Sequence, residues 1–225
     1  VTGPSTGSAA ALALPGYYDT ARAPLLALLP QRFMPGQALE LGCGEGRTLA
    51  LLRQQRPGVR TVGVEREAGA LARAREARAA DELIEADILD PTLLADATGR
   101  FDLVILSHVL EHFAEPAQVL ARARGWLAPE GRLLVALPNL RHLSVLVPLV
   151  LRADFAYADS GILDRTHLRF FTRKSAERFF VAEGFVVERS VADVNGPKSR
   201  ALDRLSLGLA RDFAAFAWNF RLRAA

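Results

Sequence analysis

The sequence predicts an α/β fold, a doubly wound seven-stranded sheet, mostly parallel with an antiparallel C-terminal strand. Three observations carry that prediction. Apolar segments alternate with helical ones from Gln37 to Leu137, the rhythm of a parallel sheet covered by helices. Phe101-Asp-Leu-Val-Ile-Leu-Ser107 is a near-continuous apolar run, as expected of a strand buried on both faces. Phe216-Ala-Trp-Asn-Phe-Arg-Leu222 alternates large apolar with small or polar residues, the period of a strand with one buried face, and supplies the seventh strand.

Taken in order, Ala21 to Leu29, preceded by Tyr17, Tyr18 and Asp19, is expected to be helical and to stop at Pro30. Gln37 to Leu41 is the first strand, and the helix from Arg47 ends near Pro57-Gly58. Thr61 to Arg66 is a second, β-branched strand, and Glu67 to Ala80 is helical by propensity. Leu83 to Asp87 is a third strand ending in an acid, followed by a weakly helical Pro91 to Ala97. After the fourth strand, Pro116 to Leu127 is a helix, Pro129 to Gly131 a turn and Arg132 to Leu137 the fifth strand. The rhythm then breaks. Pro138 to Thr172 is a long connection, too apolar and aromatic for a linker, and is expected to be a lid insert over the ligand edge. Arg173 to Glu183 returns to helix, Phe185 to Val191 is the sixth strand, and Leu202 to Arg211 is expected to be helical. Residues 1–16 read as a flexible tail, and 17–225 as a single domain containing the insert 138–172.

Composition bounds the function classes. The 225 residues are half hydrophobic and 24% charged, enough for one large core and unlike a disordered chain. The formal charge of +3 gives no electrostatic footprint for nucleic acid. Cys43 is the only cysteine, which excludes a disulfide framework and a cysteine metal site. The longest apolar run, Leu143 to Leu151, is far short of the ~20 residues that span a bilayer, and a cytoplasmic location is expected.

The chemistry is organised around Ala38-Leu-Glu-Leu-Gly-Cys-Gly-Glu-Gly46. Glycines at a strand-to-helix junction permit positive φ and let a ligand approach the backbone. Free amides at the helix N-terminus suit a nucleotide-like ligand carrying an anionic group. Glu65 at the second strand's end is placed to accept from a ribose diol, and Asp87, one strand over, from an adenine amino group with Ile88 or Ala86 backbone at the ring. Glu40 is placed for a cationic amino group, with Arg22 or Tyr18 as partners for a carboxylate.

Together these pieces resemble class I S-adenosylmethionine-dependent methyltransferases, with a Rossmann-like sheet. The resemblance rests on Glu40 to Gly46, on Glu65 and Asp87, and on Phe101-Asp-Leu-Val-Ile-Leu-Ser-His-Val-Leu-Glu-His112, and it covers Tyr17 to Val191. It implies S-adenosylmethionine as cofactor, bound by Glu40, Gly42, Cys43, Gly44, Gly46, Glu65, Arg66, Asp87, Ile88 and Ser107. Leu137 to His142, Gly161 to Thr172 and Leu202 to Leu207 are similar to bacterial methyltransferases found beside glycosyltransferases in polysaccharide gene clusters, which implies a sugar-like hydroxyl acceptor. An NAD(P) oxidoreductase is the competing reading, but its loop is G-x-G-x-x-G, whereas here glycine falls at every second position. Other readings left open are a quinone-type or other small metabolite as acceptor, a homodimer, and a low-turnover scaffold docked through Leu143 to Leu151 and Phe213, Phe216 and Trp218.

A hydroxyl acceptor benefits from a general base, and histidine suits that role near neutral pH. His167, beside Asp164 and Arg169, is the first candidate, with Asp164 orienting the imidazole, Arg169 holding an anionic part of the acceptor and Phe170 excluding water. His108, directly after the fourth strand, is the second. Glu111 and His112 are assigned to helix start and packing. His108-Val-Leu-Glu-His112 resembles the Glu-x-x-Glu-His cation cluster of some ubiquinone-pathway methyltransferases, but its first position is His, so no metal is expected. Ser107 to Leu110 lacks the Asn/Asp-Pro-Pro-aromatic signature of exocyclic base methylation, and no nucleic-acid acceptor is expected. Asn139 is expected to touch the acceptor or end the fifth strand.

Overall fold

The computed structural model describes residues 21–225, so the expected tail, Tyr17, Tyr18 and Asp19 lie outside the described residues. Seven strands form one sheet in the order β3-β2-β1-β4-β5-β7-β6. They are β1 (Gln37–Leu41), β2 (Arg60–Glu65), β3 (Glu82–Glu85), β4 (Phe101–Ser107), β5 (Leu127–Pro138), β6 (Phe185–Asp193) and β7 (Ala217–Ala224). The first five run parallel, and β7 inserts antiparallel between β5 and β6. The fold is therefore the Rossmann-like arrangement expected.

Alternation along the strands builds two cores. Leu39, Leu41, Val104, Leu106, Val135 and Leu137 face one side, with Val119, Leu120, Ala123 and Trp126 of α4 (Pro116–Trp126) and Phe180 of α6 (Arg173–Ala182). Ala38, Leu103, Ile105, Leu134 and Ala136 face the other, against Leu25 and Leu26 of α1 (Ala23–Leu26) and Leu52 of α2 (Arg47–Gln55). The rings of Phe180 and Phe220 meet edge-on at 5.1 Å, worth ~0.5–1.5 kcal/mol beyond burial. Asp102 interrupts the apolar run of β4 because its Oδ2 accepts from the amides of Gly36 and Gln37 and so starts β1.

Four expected elements differ. The turn expected over Pro129 to Gly131 lies inside β5, which already begins at Leu127. Residues 91–97 run as turns: Asp90 Oδ1 accepts from Thr92 N and Oγ1, and Leu94 sits at φ 49°. Asp87 falls outside β3, two residues past its end. The helix expected over Leu202 to Arg211 is instead α7 (Pro197–Leu205) and α8 (Arg211–Ala214), parted where Leu207 and Gly208 take φ of 51° and 83°. The remaining helices are α3 (Ala68–Glu76) and α5 (Leu143–Arg152), the latter inside the insert. Among the described residues no helix is long and apolar enough to cross a membrane.

The insert is tied at both ends. Asn139 and Phe171 form a parallel bridge, and Leu140 N donates to Phe171 O. Its return leg docks on the tight turn Leu110–His112, where Glu111 O accepts from the amides of Leu168 and Arg169. Thus 138–172 leaves and re-enters the sheet edge within one strand's width of the end of β4.

Candidate active site at the carboxyl ends of the central strands

The chain reverses its direction of strand addition between β1 and β4, and the crevice there is where open α/β sheets place ligands. Gly42, Gly44 and Gly46 take φ of 68°, 53° and 71°, so the turn uses the conformations only glycine adopts freely. A Cβ on Gly42 would stand 2.8 Å from Val109 Cγ2, and one on Gly46 2.6 Å from Ala79 Cβ. Gly46 therefore answers to helix packing, and it is absent from the walls of the cavity below. Gly42 N and Cys43 N both donate to Val64 O, which holds the turn against β2.

Above the turn lies a cavity of about 300 Å³, walled by Arg22, Glu40, Gly42 to Gly44 and Thr48 at one end. Ser107, His108, Pro138, Ser160, Gly161, His167 and Phe216 wall the other. Two buried polar atoms among these walls, Glu40 Oε2 and Ser107 Oγ, have no hydrogen-bond partner. Burial pushes the Glu40 carboxyl up to about 8, against the opposing pull of the Thr48 hydroxyl and the Arg22 charge. Burial also raises the Cys43 thiol, with Glu40 and Glu65 adding to the effect. Buried polar atoms left without partners are costly.

Glu65 has a second task that the sequence did not disclose. Its Oε2 accepts from Gly44 N at 2.9 Å and its Oε1 from Arg66 N and Glu67 N at 2.8 Å each, so it staples the turn to β2. A carboxylate offers about four acceptor positions, and these three bonds leave one free. Arg66 is largely exposed and pairs with Asp87 at 3.7 Å, while Asp87 Oδ1 caps Leu89 N. Ile88 is buried in the core. Glu65, Arg66, Asp87 and Ile88 thus stand at the ends of β2 and β3, beside the cavity walls rather than in them.

At the far end the side-chain partnerships differ from those expected. His167 is buried and lines the cavity, but its Nδ1 bonds to Ile162 O at 2.9 Å. Asp164 does not orient it: Asp164 Oδ1 accepts from Thr166 N and Thr166 Oγ1. Arg169 is not among the cavity walls, and its guanidinium bonds Ala114 O at 2.7 Å and Glu115 Oε1 at 3.2 Å. Phe170 packs against Phe155, Tyr157 and His167. The carboxylate neighbour expected of His167 belongs to His108, whose Nδ1 lies 3.3 Å from Glu111 Oε1. His108 sits at φ 56°, a strained conformation for a non-glycine residue at a cavity wall.

Asn139 does not reach the cavity. Its Nδ2 donates to Asp212 O and Ala215 O, which ends β5 and fixes the approach to β7. Sequence reading missed Thr48, Ser160, Gly161 and Phe216 as walls. Thr48 follows the glycine turn by two residues, whereas only long-range topology brings Ser160, Gly161 and Phe216 to the same cavity.

The sequence profile of the family described as "Methyltransferase domain" matches residues 16–190. The trans-aconitate 2-methyltransferase of Methylobacterium radiotolerans is 34% identical over 119 residues, 52% of this chain and 43% of that protein. The ribosomal RNA small subunit methyltransferase C of Pasteurella multocida is 29% identical over 140 residues, 58% of this chain and 42% of its own length. The chain thus spans less than half the length of either curated relative. A solved S-adenosylmethionine-dependent methyltransferase from Mesorhizobium loti shares the fold with a TM-score of 0.62 at 18% identity, covering 89% of this chain and 95% of that one.

Proposed function

The chain belongs to the methyltransferase-domain family, whose cofactor is S-adenosylmethionine, and from that premise we propose methyl transfer to a hydroxyl of a small, sugar-like acceptor. The observation that carries the reading is the pair of unpartnered buried atoms, Glu40 Oε2 and Ser107 Oγ, on the walls of one cavity. They fit the cofactor: Glu40 would hold the ammonium of its methionine end, Arg22 the carboxylate, and the turn Gly42 to Gly44 would let the ligand reach the backbone. Glu65 would take a ribose hydroxyl on its free acceptor position, with Asp87 and Ile88 beyond it at the adenine. Bound there, S-adenosylmethionine supplies an electrophilic methyl group whose leaving thioether needs no acid.

The chain's own work is to align, exclude water and take a proton. Alignment asks for an approach of roughly 3–3.5 Å between acceptor and methyl, and the insert closes the cavity from above through Ser160, Gly161 and His167. His108 takes the base role, because the buried Glu111 carboxylate 3.3 Å from Nδ1 favours the imidazolium that proton uptake forms, and Nε2 is left for the acceptor proton. His167, with Nδ1 spent on Ile162 O, lines the same end of the cavity as His108.

An acceptor screen with labelled cofactor tests this reading. Nucleotide sugars and glycan fragments are expected to take label, while quinols, trans-aconitate and ribosomal RNA fragments are not. Label on RNA or protein, and on no sugar, overturns the acceptor class.

A further inference from the structure

We propose that Glu111, His112 and His167 form a binding site for one divalent transition-metal ion, which clamps the insert to the end of β4. The proposal goes beyond the reading above and does not rest on it.

One ligand atom from each of these three residues lies within 4.8 Å of the other two. Glu111 is 1% exposed, and neither carboxylate oxygen has a hydrogen-bond donor, although His108 Nδ1 stands 3.3 Å from one of them. A buried, unpartnered carboxylate is among the most expensive groups a fold can carry.

The two imidazoles facing it are prepared as ligands. His167 Nδ1 donates to Ile162 O, so the lone pair is on Nε2. Thr166 Oγ1 donates to Asp164 Oδ1 and therefore accepts from His112 Nδ1, which places the His112 lone pair on Nε2 as well. Carbonyl and hydroxyl partners that fix the ring tautomer are what metal-ligating histidines have behind them. Asp164 and Thr166 thus acquire a role the mechanism does not use: they orient His112.

The donor set chooses the ion. Two imidazole nitrogens and one carboxylate oxygen suit zinc and its neighbours in the first transition row, and disfavour magnesium and calcium. The expectation of no metal rested on a cluster confined to His108–His112 and on a hard ion. The set found here takes its third ligand from the insert, 55 residues beyond His112 (167 − 112), and it is nitrogen-rich. Zinc–ligand bonds of ~2.0–2.1 Å imply ligand separations near ~3.3 Å, so the three side chains close inward on binding.

The test is calorimetric titration of the EDTA-stripped chain with ZnCl₂, with MgCl₂ as comparison. One zinc per chain is expected, with no magnesium binding. Glu111→Gln should weaken zinc at least ~10-fold, and Thr166→Val, at an exposed position, by ~10–100-fold through the lost His112 orientation. Limited proteolysis should show the insert protected by zinc in the wild-type chain and not in either variant. S-adenosylhomocysteine binding is measured in parallel, so failure of the cofactor reading is seen separately. Absence of zinc binding, or zinc binding that both variants retain, overturns the proposal.

Discussion

The two ends of the cavity are built in opposite ways. The cofactor end is made mostly of one local stretch, Glu40 to Thr48, joined by Arg22, and its glycine turn is stapled to the neighbouring strand by Glu65. The acceptor end is made of side chains from segments far apart: Ser107 and His108, Pro138, Ser160 to His167, and Phe216. A local end is specified by spacing and tolerates little change in backbone. An assembled end is specified by packing and can be retuned by changing side chains. The cofactor end should therefore fail through shape, and the acceptor end through chemistry.

The largest effect tests shape. Gly44→Val puts a β-branched residue at φ 53° in the cavity wall, and should weaken S-adenosylhomocysteine binding by at least ~10²-fold in calorimetry. Unimpaired binding by a folded variant would remove the distinction between the two ends.

The next tests chemistry. His108→Ala should lower kcat for a hydroxyl acceptor by ~10²-fold or more, with cofactor affinity nearly unchanged. Equal loss of both would mean that His108 supports the cavity as a whole.

The difference between the ends also explains what the sequence disclosed. The glycine spacing, the acid closing β2 and the apolar run of β4 all act locally or through strand period, so the sheet and the cofactor turn were legible. His167 was paired with Asp164 because they are neighbours in sequence. In three dimensions Asp164 spends its carboxylate on Thr166, and Glu111, read as packing, is the buried acid beside His108. Arg169 was read toward the acceptor for the same reason and is spent on Ala114 and Glu115. The Arg169 partnerships span 54 and 55 residues and leave no periodic trace, whereas His108 and Glu111 are only three apart and meet through the tight turn Leu110–His112. Leu207 shows the complementary failure, where a helical pattern is cut by backbone conformation rather than by composition.

The smallest effect is a proton linkage at Glu40. Its ordinary value near 4.5 rises to about 8 because burial disfavours the charged form. The fold therefore prefers Glu40 protonated: that contribution is complete below pH 4.5 and is lost as pH climbs through about 8. Glu40→Gln should match wild-type Tm near pH 4 and exceed it by a margin that grows up to about pH 8 and then levels off. A ligand ammonium favours the carboxylate, so cofactor binding between those values should release a proton, seen as a buffer-dependent calorimetric enthalpy. A Tm difference that does not change with pH would place Glu40 outside this linkage.

The most direct measurement is a crystal structure with S-adenosylhomocysteine. The account predicts its amino-acid end between Glu40 and Arg22, its thioether over the turn Gly42 to Gly44, and its open side facing His108 and His167. Density for the ligand in the open groove walled by Arg53, Arg60 and Asp81, with the cavity above the turn left to solvent, would contradict it.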